Sequence, residues 1–269
     1  MRIFVITKRT LVIIGVLLAA VITAVILLLS FLPDAAAVSG PAVTEEYEME
    51  VLAGQRKEVP VYSVDHGEKK IALTIDAAWE DDKTPYILDT LDRYNVKATF
   101  FLCGFWVDKY PQHIKEIAAA GHEIGNHSAT HPHMNQLSAA QIQKELNDLE
   151  AMMVKLTGNK TKLFRAPFGE YNDTVITTVR SMGYEVVQWD LDTVDWRPER
   201  SAQTILDAVI PKLHPGCIIL SHNNGYKIKE YLEPLIQTAQ EQGYTFVTVS
   251  DLLLEGDTIV DVNGVQKKA

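Results

Sequence analysis

Cysteine is scarce in this sequence: Cys103 and Cys217 are the only two in 269 residues. Two cysteines exclude a disulfide framework, and a chain long enough to bury its own core does not need one. Each lies in a short apolar run, 99–103 and 217–220, where a thiol packs as a small hydrophobe. Two buried free thiols in neighbouring strands are expected, with a single disulfide as the alternative. A basic surplus is also missing. Lys and Arg number 25 against 35 Asp and Glu, a formal net charge of -10. Binding nucleic acid requires cations that neutralise phosphate, so no nucleic-acid partner is expected, and neutral glycans remain open. No Gly-x-Gly-x-x-Gly follows the first strand-like run of the main domain, which removes the chief sign of a dinucleotide fold.

One long apolar run is present. Residues 11–32 carry no charge, and about 22 residues at ~1.5 Å each span a hydrocarbon core of ~30 Å. Arg2, Lys8 and Arg9 precede the run and Asp34 follows it. The positive-inside rule then expects residues 1–10 in the cytoplasm, 11–32 as an uncleaved transmembrane signal anchor, and everything beyond outside a bacterial cell membrane. A cleaved secretory signal is the alternative, since residues 35–37 are small, but its apolar region runs only about 7 to 15 residues.

Residues 33–69 lack sustained periodicity and read as a linker with one or two accessory strands, 70–254 as the main domain and 255–269 as a tail. Within the main domain, strand-like runs at 70–76, 97–103, 122–127, 163–166, 185–192, 217–222 and 245–249 alternate with helical stretches at 84–94, 110–120, 138–157, 172–182, 201–213 and 229–241. That alternation is the signature of βα units around a parallel sheet. Ser138 opens one helix, and Gly121, Gly158, Gly183 and Gly243 stand just past helix ends, where left-handed caps favour glycine. The fold class is therefore α/β. Seven units, one short of eight, predict a distorted, incomplete (β/α) barrel whose site lies at the C-terminal ends of its strands.

Those strand ends present Asp76, His127 with His131, Arg165, Asp192 with Asp195, and His222. A lone Asp or His at a strand end is ordinarily structural. Titratable groups at five separate strand ends instead point to one shared polar pocket. His127 and His131 are four residues apart, which on a helical turn brings both imidazoles to one face and lets both bind one metal ion; the alternative is two unrelated histidines in a loop that also holds His133. Imidazole pairs suit zinc, nickel, cobalt or iron.

These residues fall in five ordered motifs: Thr74-Ile75-Asp76-Ala77-Ala78, His127-Ser128-Ala129-Thr130-His131, Arg165-Ala166-Pro167-Phe168-Gly169, Asp192-Thr193-Val194-Asp195-Trp196 and Leu220-Ser221-His222. Over about 70–254 the chain resembles the NodB-type polysaccharide deacetylases. The resemblance implies a roughly sevenfold distorted barrel and an N-deacetylase acting on N-acetylated amino sugars of a cell-wall or surface polysaccharide, peptidoglycan foremost. It also implies Asp76 as general base, Arg165 as the residue holding that carboxylate, His222 as general acid, Asp195 as its partner, and His127 and His131 as metal ligands. Relatives with an altered first motif are associated with sporulation, so a spore-envelope role is a further expectation.

Hydrolysis of an acetamide needs an activated water, a polarised carbonyl and a proton for the departing amine. Asp76 and His222, expected on opposite sides of the pocket, suit the two proton transfers, and a divalent ion suits the rest. Phe168 and Trp196 are expected as apolar walls for a sugar ring, with simple packing as the alternative. The chain departs from the family at Ala77, where a second aspartate ordinarily ligates the metal. A weakly bound zinc, cobalt or nickel ion is therefore expected, lost below about pH 6.5 as its imidazoles protonate. The alternative is a glycan-binding or structural envelope protein on the same fold.

Overall fold

Strand β2 (Lys70–Ala77) reads Lys-Ile-Ala-Leu-Thr-Ile-Asp-Ala and is buried from Ile71 onward. A run apolar on both faces belongs at the centre of a parallel sheet, covered above and below. In a computed structural model of the chain, which describes residues 58–80 and 83–269, β2 takes that place. The remaining strands are β1 (Ser63–Val64), β3 (Thr99–Leu102), β4 (Glu123–Asn126), β5 (Leu163–Phe164), β6 (Glu185–Val186), β7 (Leu191–Asp192), β8 (Ile218–His222), β9 (Thr245–Val247), β10 (Thr258–Val260) and β11 (Val265–Lys268). The main sheet runs β6-β5-β4-β3-β2-β8-β7, with β9 beside the first residues of β2. Its pairs are all parallel.

The two edge strands, β6 and β7, are consecutive in the chain. The stretch expected as one strand over 185–192 is therefore two short ones: the first pairs with β5 and the second with β8. Residues 187–190 join the two edges, so the sheet curls into a half-barrel rather than lying open, as the (β/α) reading expects. Successive side chains of a strand point to opposite faces. Along β2, Ile71, Leu73, Ile75 and Ala77 join the large core beneath the helices, whereas Ala72 packs with Phe101, Leu163, Val187 and Ile218 in a smaller core on the other face.

Helices cover the outer face for reasons legible in the chain. Helix Ala139–Thr157 buries Ile142, Leu146, Leu149 and Met153, a 3.6-residue stripe. Ser138 and Gln141 form a capping box at its start, and Gly158 at φ 77° closes its end. Asn172 and Ser201 cap two further helices. A short helix at Gly104–Lys109 lies where no element was expected. Residues 255–269, expected as a tail, contain β10 and β11, which form a three-stranded sheet with β1. Cys103 and Cys217 are both buried and free, and they lie beside β3 and β8, which flank β2 rather than each other.

The expectation of a single-pass bacterial membrane protein is corrected here. No helix among the described residues is long and apolar enough to cross a membrane, and the expected span at 11–32 lies outside the described residues.

Candidate active site

The floor of the site is set by register. On β2 and β8, Asp76 pairs with His222, so the two side chains emerge from adjacent parallel strands, which lie about 4.8 Å apart. This corrects the expectation that they face each other across the pocket. Arg165, fully buried just beyond β5, donates from Nη1 to Asp76 Oδ1 at 2.7 Å and to Thr74 Oγ1 at 2.8 Å, and from Nη2 to the Gln188 carbonyl at 2.9 Å. Its guanidinium carbon lies 4.1 Å from the centroid of the Phe101 ring. That ring sits directly over Gly125, where a Cβ would come within 2.5 Å of it. Burial disfavours the ionised Asp76, yet the Arg165 charge, followed by His127 and His222, outweighs it and holds the carboxyl below its usual range.

His222 is anchored from its other side. Its Nδ1–H donates to Asp195 Oδ1 at 2.7 Å, which turns Nε2 away from the pair. Asp195 Oδ2 accepts from the His222 backbone N–H at 3.1 Å and from the buried Tyr231 hydroxyl at 2.6 Å. Burial works against charge on the imidazole, but the Asp195 hydrogen bond and charge, reinforced by Asp76 and Asp192, lift His222 above its ordinary pKa. Tyr231 carried no sequence signal, being one apolar-looking position on an amphipathic helix. Gly225 is a second residue missed: a Cβ there would come within 2.1 Å of Asp195 Oδ2.

His127 and His131 do not share a helical turn as expected. They lie on the loop after β4, where Ser128 (φ 67°) and His131 (φ 56°) adopt left-handed backbone. Side chains fasten that loop: Ser128 N donates to Asn126 Oδ1, His131 N to Ser128 Oγ, and Thr130 donates from N and Oγ1 to the Glu145 carboxylate. The two imidazole centroids are still 5.0 Å apart. His127 Nδ1–H donates to the Arg165 carbonyl at 2.9 Å, leaving the Nε2 lone pair facing Asp76 Oδ2 at 3.6 Å. His131 Nδ1 is buried and makes no hydrogen bond within the protein. Burial keeps both rings neutral, lowering His127 and pushing His131 down to about 3.

An imidazole fixed by a carbonyl at Nδ1 with a free Nε2, beside a second neutral ring with an orphaned nitrogen, fits a divalent ion. The third donor does not come from Ala77, which is buried at the end of β2. Among the described residues no group of three His, Cys, Asp or Glu is arranged to hold a metal. Among the described residues, the pair of imidazoles is what the site offers an ion.

Apart from Asn95, which follows the helix Thr84–Arg93, left-handed non-glycine residues also occur at Glu80, Phe168 and Val194. With Ser128 and His131 they occupy four loops at the C-terminal ends of the strands, where such strain collects around functional sites. Asp192 holds one of these turns, accepting from Val194 N at 2.7 Å. Phe168 and Trp196 stand half exposed at the rim.

A family model described as polysaccharide deacetylase matches residues 63–187. The chain is similar to the peptidoglycan-N-acetylmuramic acid deacetylase PdaA of Bacillus subtilis, with 37% identity over 191 residues, covering 70% of this chain and 73% of that protein. Among solved structures it is similar to a CE4 family pseudoenzyme from Bacillus anthracis, with 35% identity and a TM-score of 0.69, covering 72% of this chain and 68% of that one. A mutant of the same pseudoenzyme has restored enzymatic activity. It is also similar to a family 4 acetyl xylan esterase of Clostridium thermocellum in complex with a cobalt ion, with 36% identity and a TM-score of 0.64, covering 68% of this chain and 89% of that one.

Proposed function

The chain belongs to the polysaccharide deacetylase family, a family of hydrolases, and from that premise we propose that it removes acetyl groups from N-acetylated amino sugars of peptidoglycan. The observation that carries this reading is the pairing of Asp76 with His222 in register, each backed by its own buried partner, Arg165 and Asp195. The name of the Bacillus subtilis relative supports the polymer.

In this reading water attacks the acetamide carbonyl carbon while Asp76 takes its proton. The carboxylate is ready for that role because Arg165 keeps it ionised and occupies Oδ1, leaving Oδ2 on the side of His127. The C–N bond then breaks as His222, charged and held through Nδ1 by Asp195, gives its Nε2 proton to the departing amine. The products are acetate and a free amino sugar. His127 and His131 would hold a divalent ion, zinc, cobalt or nickel, and bind it weakly because Ala77 stands where a ligating aspartate would add a third donor. Such an ion supplies Lewis acidity at the carbonyl and lowers the pKa of water from about 15.7 towards 7. Phe168 and Trp196 flank the sugar.

The test is acetate release from peptidoglycan fragments and chitin oligomers by the full chain. Asp76→Asn and His222→Ala are each expected to lower the rate by on the order of 10² to 10⁴ with the fold intact by circular dichroism. Wild-type turnover in either variant removes the mechanism. Ala77 favours a second reading, a glycan-binding protein without turnover, which wins if the wild type retains glycan and releases no acetate with added metal.

A further inference from the structure

Trp79 exposes 51% of its surface on a turn that the rest of the fold holds in place. Glu80, next to it, has φ 54°. Its carbonyl accepts from Trp106 Nε1 at 2.7 Å and from Asn223 Nδ2, and the Ala77 carbonyl accepts from Cys103 N at 2.9 Å. The turn is thus a strained conformation fastened from two sides, by the short helix after β3 and by the loop after β8. Left-handed backbone is unfavourable at a non-glycine residue, and here it adjoins an indole presented to water.

The indole is not alone. Phe105, 39% exposed, lies 6.0 Å from it between ring centroids. Phe105 is fixed because the helix Gly104–Lys109 packs hard against the histidine loop: Gly104 N donates to the Ser128 carbonyl, and a Cβ on Gly104 would come within 2.7 Å of the Ala129 oxygen. On its other side Trp79 meets His131 edge-on at 4.7 Å. His131 meets Phe168 at 4.5 Å, and Phe168 stacks on His133 at 4.7 Å. The rings form one strip that reaches His127 through His131, the two imidazole centroids being 5.0 Å apart.

We propose that Trp79 and Phe105 are a platform for a further sugar unit of the glycan chain, next to the unit whose acetamide is cleaved. This inference rests on the glycan deacetylase reading above. A pyranose ring has one face lined by C–H groups, and laying it on fixed aromatic rings buries apolar area while its hydroxyl and acetamido groups stay hydrated. The two platform rings carry no charge, which suits a neutral sugar unit such as N-acetylglucosamine. Being already fixed, they lose little freedom on binding.

The probe is the hexamer of N-acetylglucosamine, titrated into the full chain by calorimetry and tryptophan fluorescence alongside acetate release. Trp79→Ala is expected to weaken hexamer binding about tenfold and to raise KM more than it lowers kcat. Phe105→Ala weakens it less, and Trp79→Phe recovers most of the affinity, which a purely structural role for the indole would not predict. Trp79 is exposed, so these variants fold, as circular dichroism will check. Wild-type hexamer affinity in both Trp79→Ala and Phe105→Ala overturns the platform and leaves the deacetylase reading standing. A wild type that neither binds the hexamer nor releases acetate from any N-acetylated glycan overturns both.

Discussion

At the scale of single residues, the site is a pair of opposed tunings. Arg165 holds Asp76 down and Asp195 holds His222 up, so a carboxylate and an imidazolium coexist on neighbouring strands, the charge states that the proposed base and acid require. A general acid works only while protonated, so the rate should fall as pH rises through the His222 pKa. Asp195→Asn removes the charge that lifts that pKa, and the alkaline limb of the kcat/KM profile is expected to move to lower pH. An unchanged limb would mean that another group donates the proton. Ala77 is the other informative residue. Ala77→Asp supplies the missing anionic donor, so cobalt titration should show tightening at least as large as the roughly 10- to 100-fold an outer-shell partner contributes. Cobalt affinity unchanged in His127→Ala would exclude the histidine pair as the ligands. The imidazoles must be neutral to bind an ion, and burial pushes His131 down to about 3. His127 is lowered by burial as well, so protonation limits binding below the pH 6.5 expected from an unperturbed histidine.

At the scale of elements, local signals and pairing differ in how openly the chain displays them. The helix Ala139–Thr157 starts and stops where Ser138 and Gly158 say it should, because capping is satisfied within a few residues of chain. Its position matters to the site: Glu145 fastens the histidine loop through Thr130, and the Leu146 carbonyl accepts from Asn126. Ser138→Ala is expected to cost about 1 kcal/mol of stability, read as a lower urea midpoint with an unchanged m-value. A shift within error would show that Gln141 alone satisfies the helix start. The histidine loop is the contrary case. Its spacing of four suggests a helix, but bonds to Asn126 and Glu145 favour a left-handed turn instead, and those partners lie on other elements.

At the scale of the whole molecule, the half-barrel is closed by chain that the motifs do not include. Val61 bridges to Val187 beside β6, and Ser63 bridges to Cys217 before β8, so this segment crosses between the two sides of the curled sheet. β11 pairs beside β1, the Gly264 carbonyl accepts from Tyr62, and Gln266 Oε1 accepts from Leu254. Deleting residues 255–269 should therefore lower the melting temperature by several degrees, at about 2–4 °C per kcal/mol for a domain of this size. An unchanged melting temperature would make that sheet an ornament. The sequence by itself determined the α/β class, the order of the motifs and the residue types at the strand ends, because apolar period, caps and chemical type are properties of short stretches. Only the tertiary structure decided that 185–192 serves two edges, that Asp76 and His222 stand on adjacent strands, that Tyr231 and Gly225 pack against Asp195, and that Trp79 meets His131. Hydrogen-bond partners and close approaches join residues tens of positions apart, and nothing in either partner's local pattern marks the other.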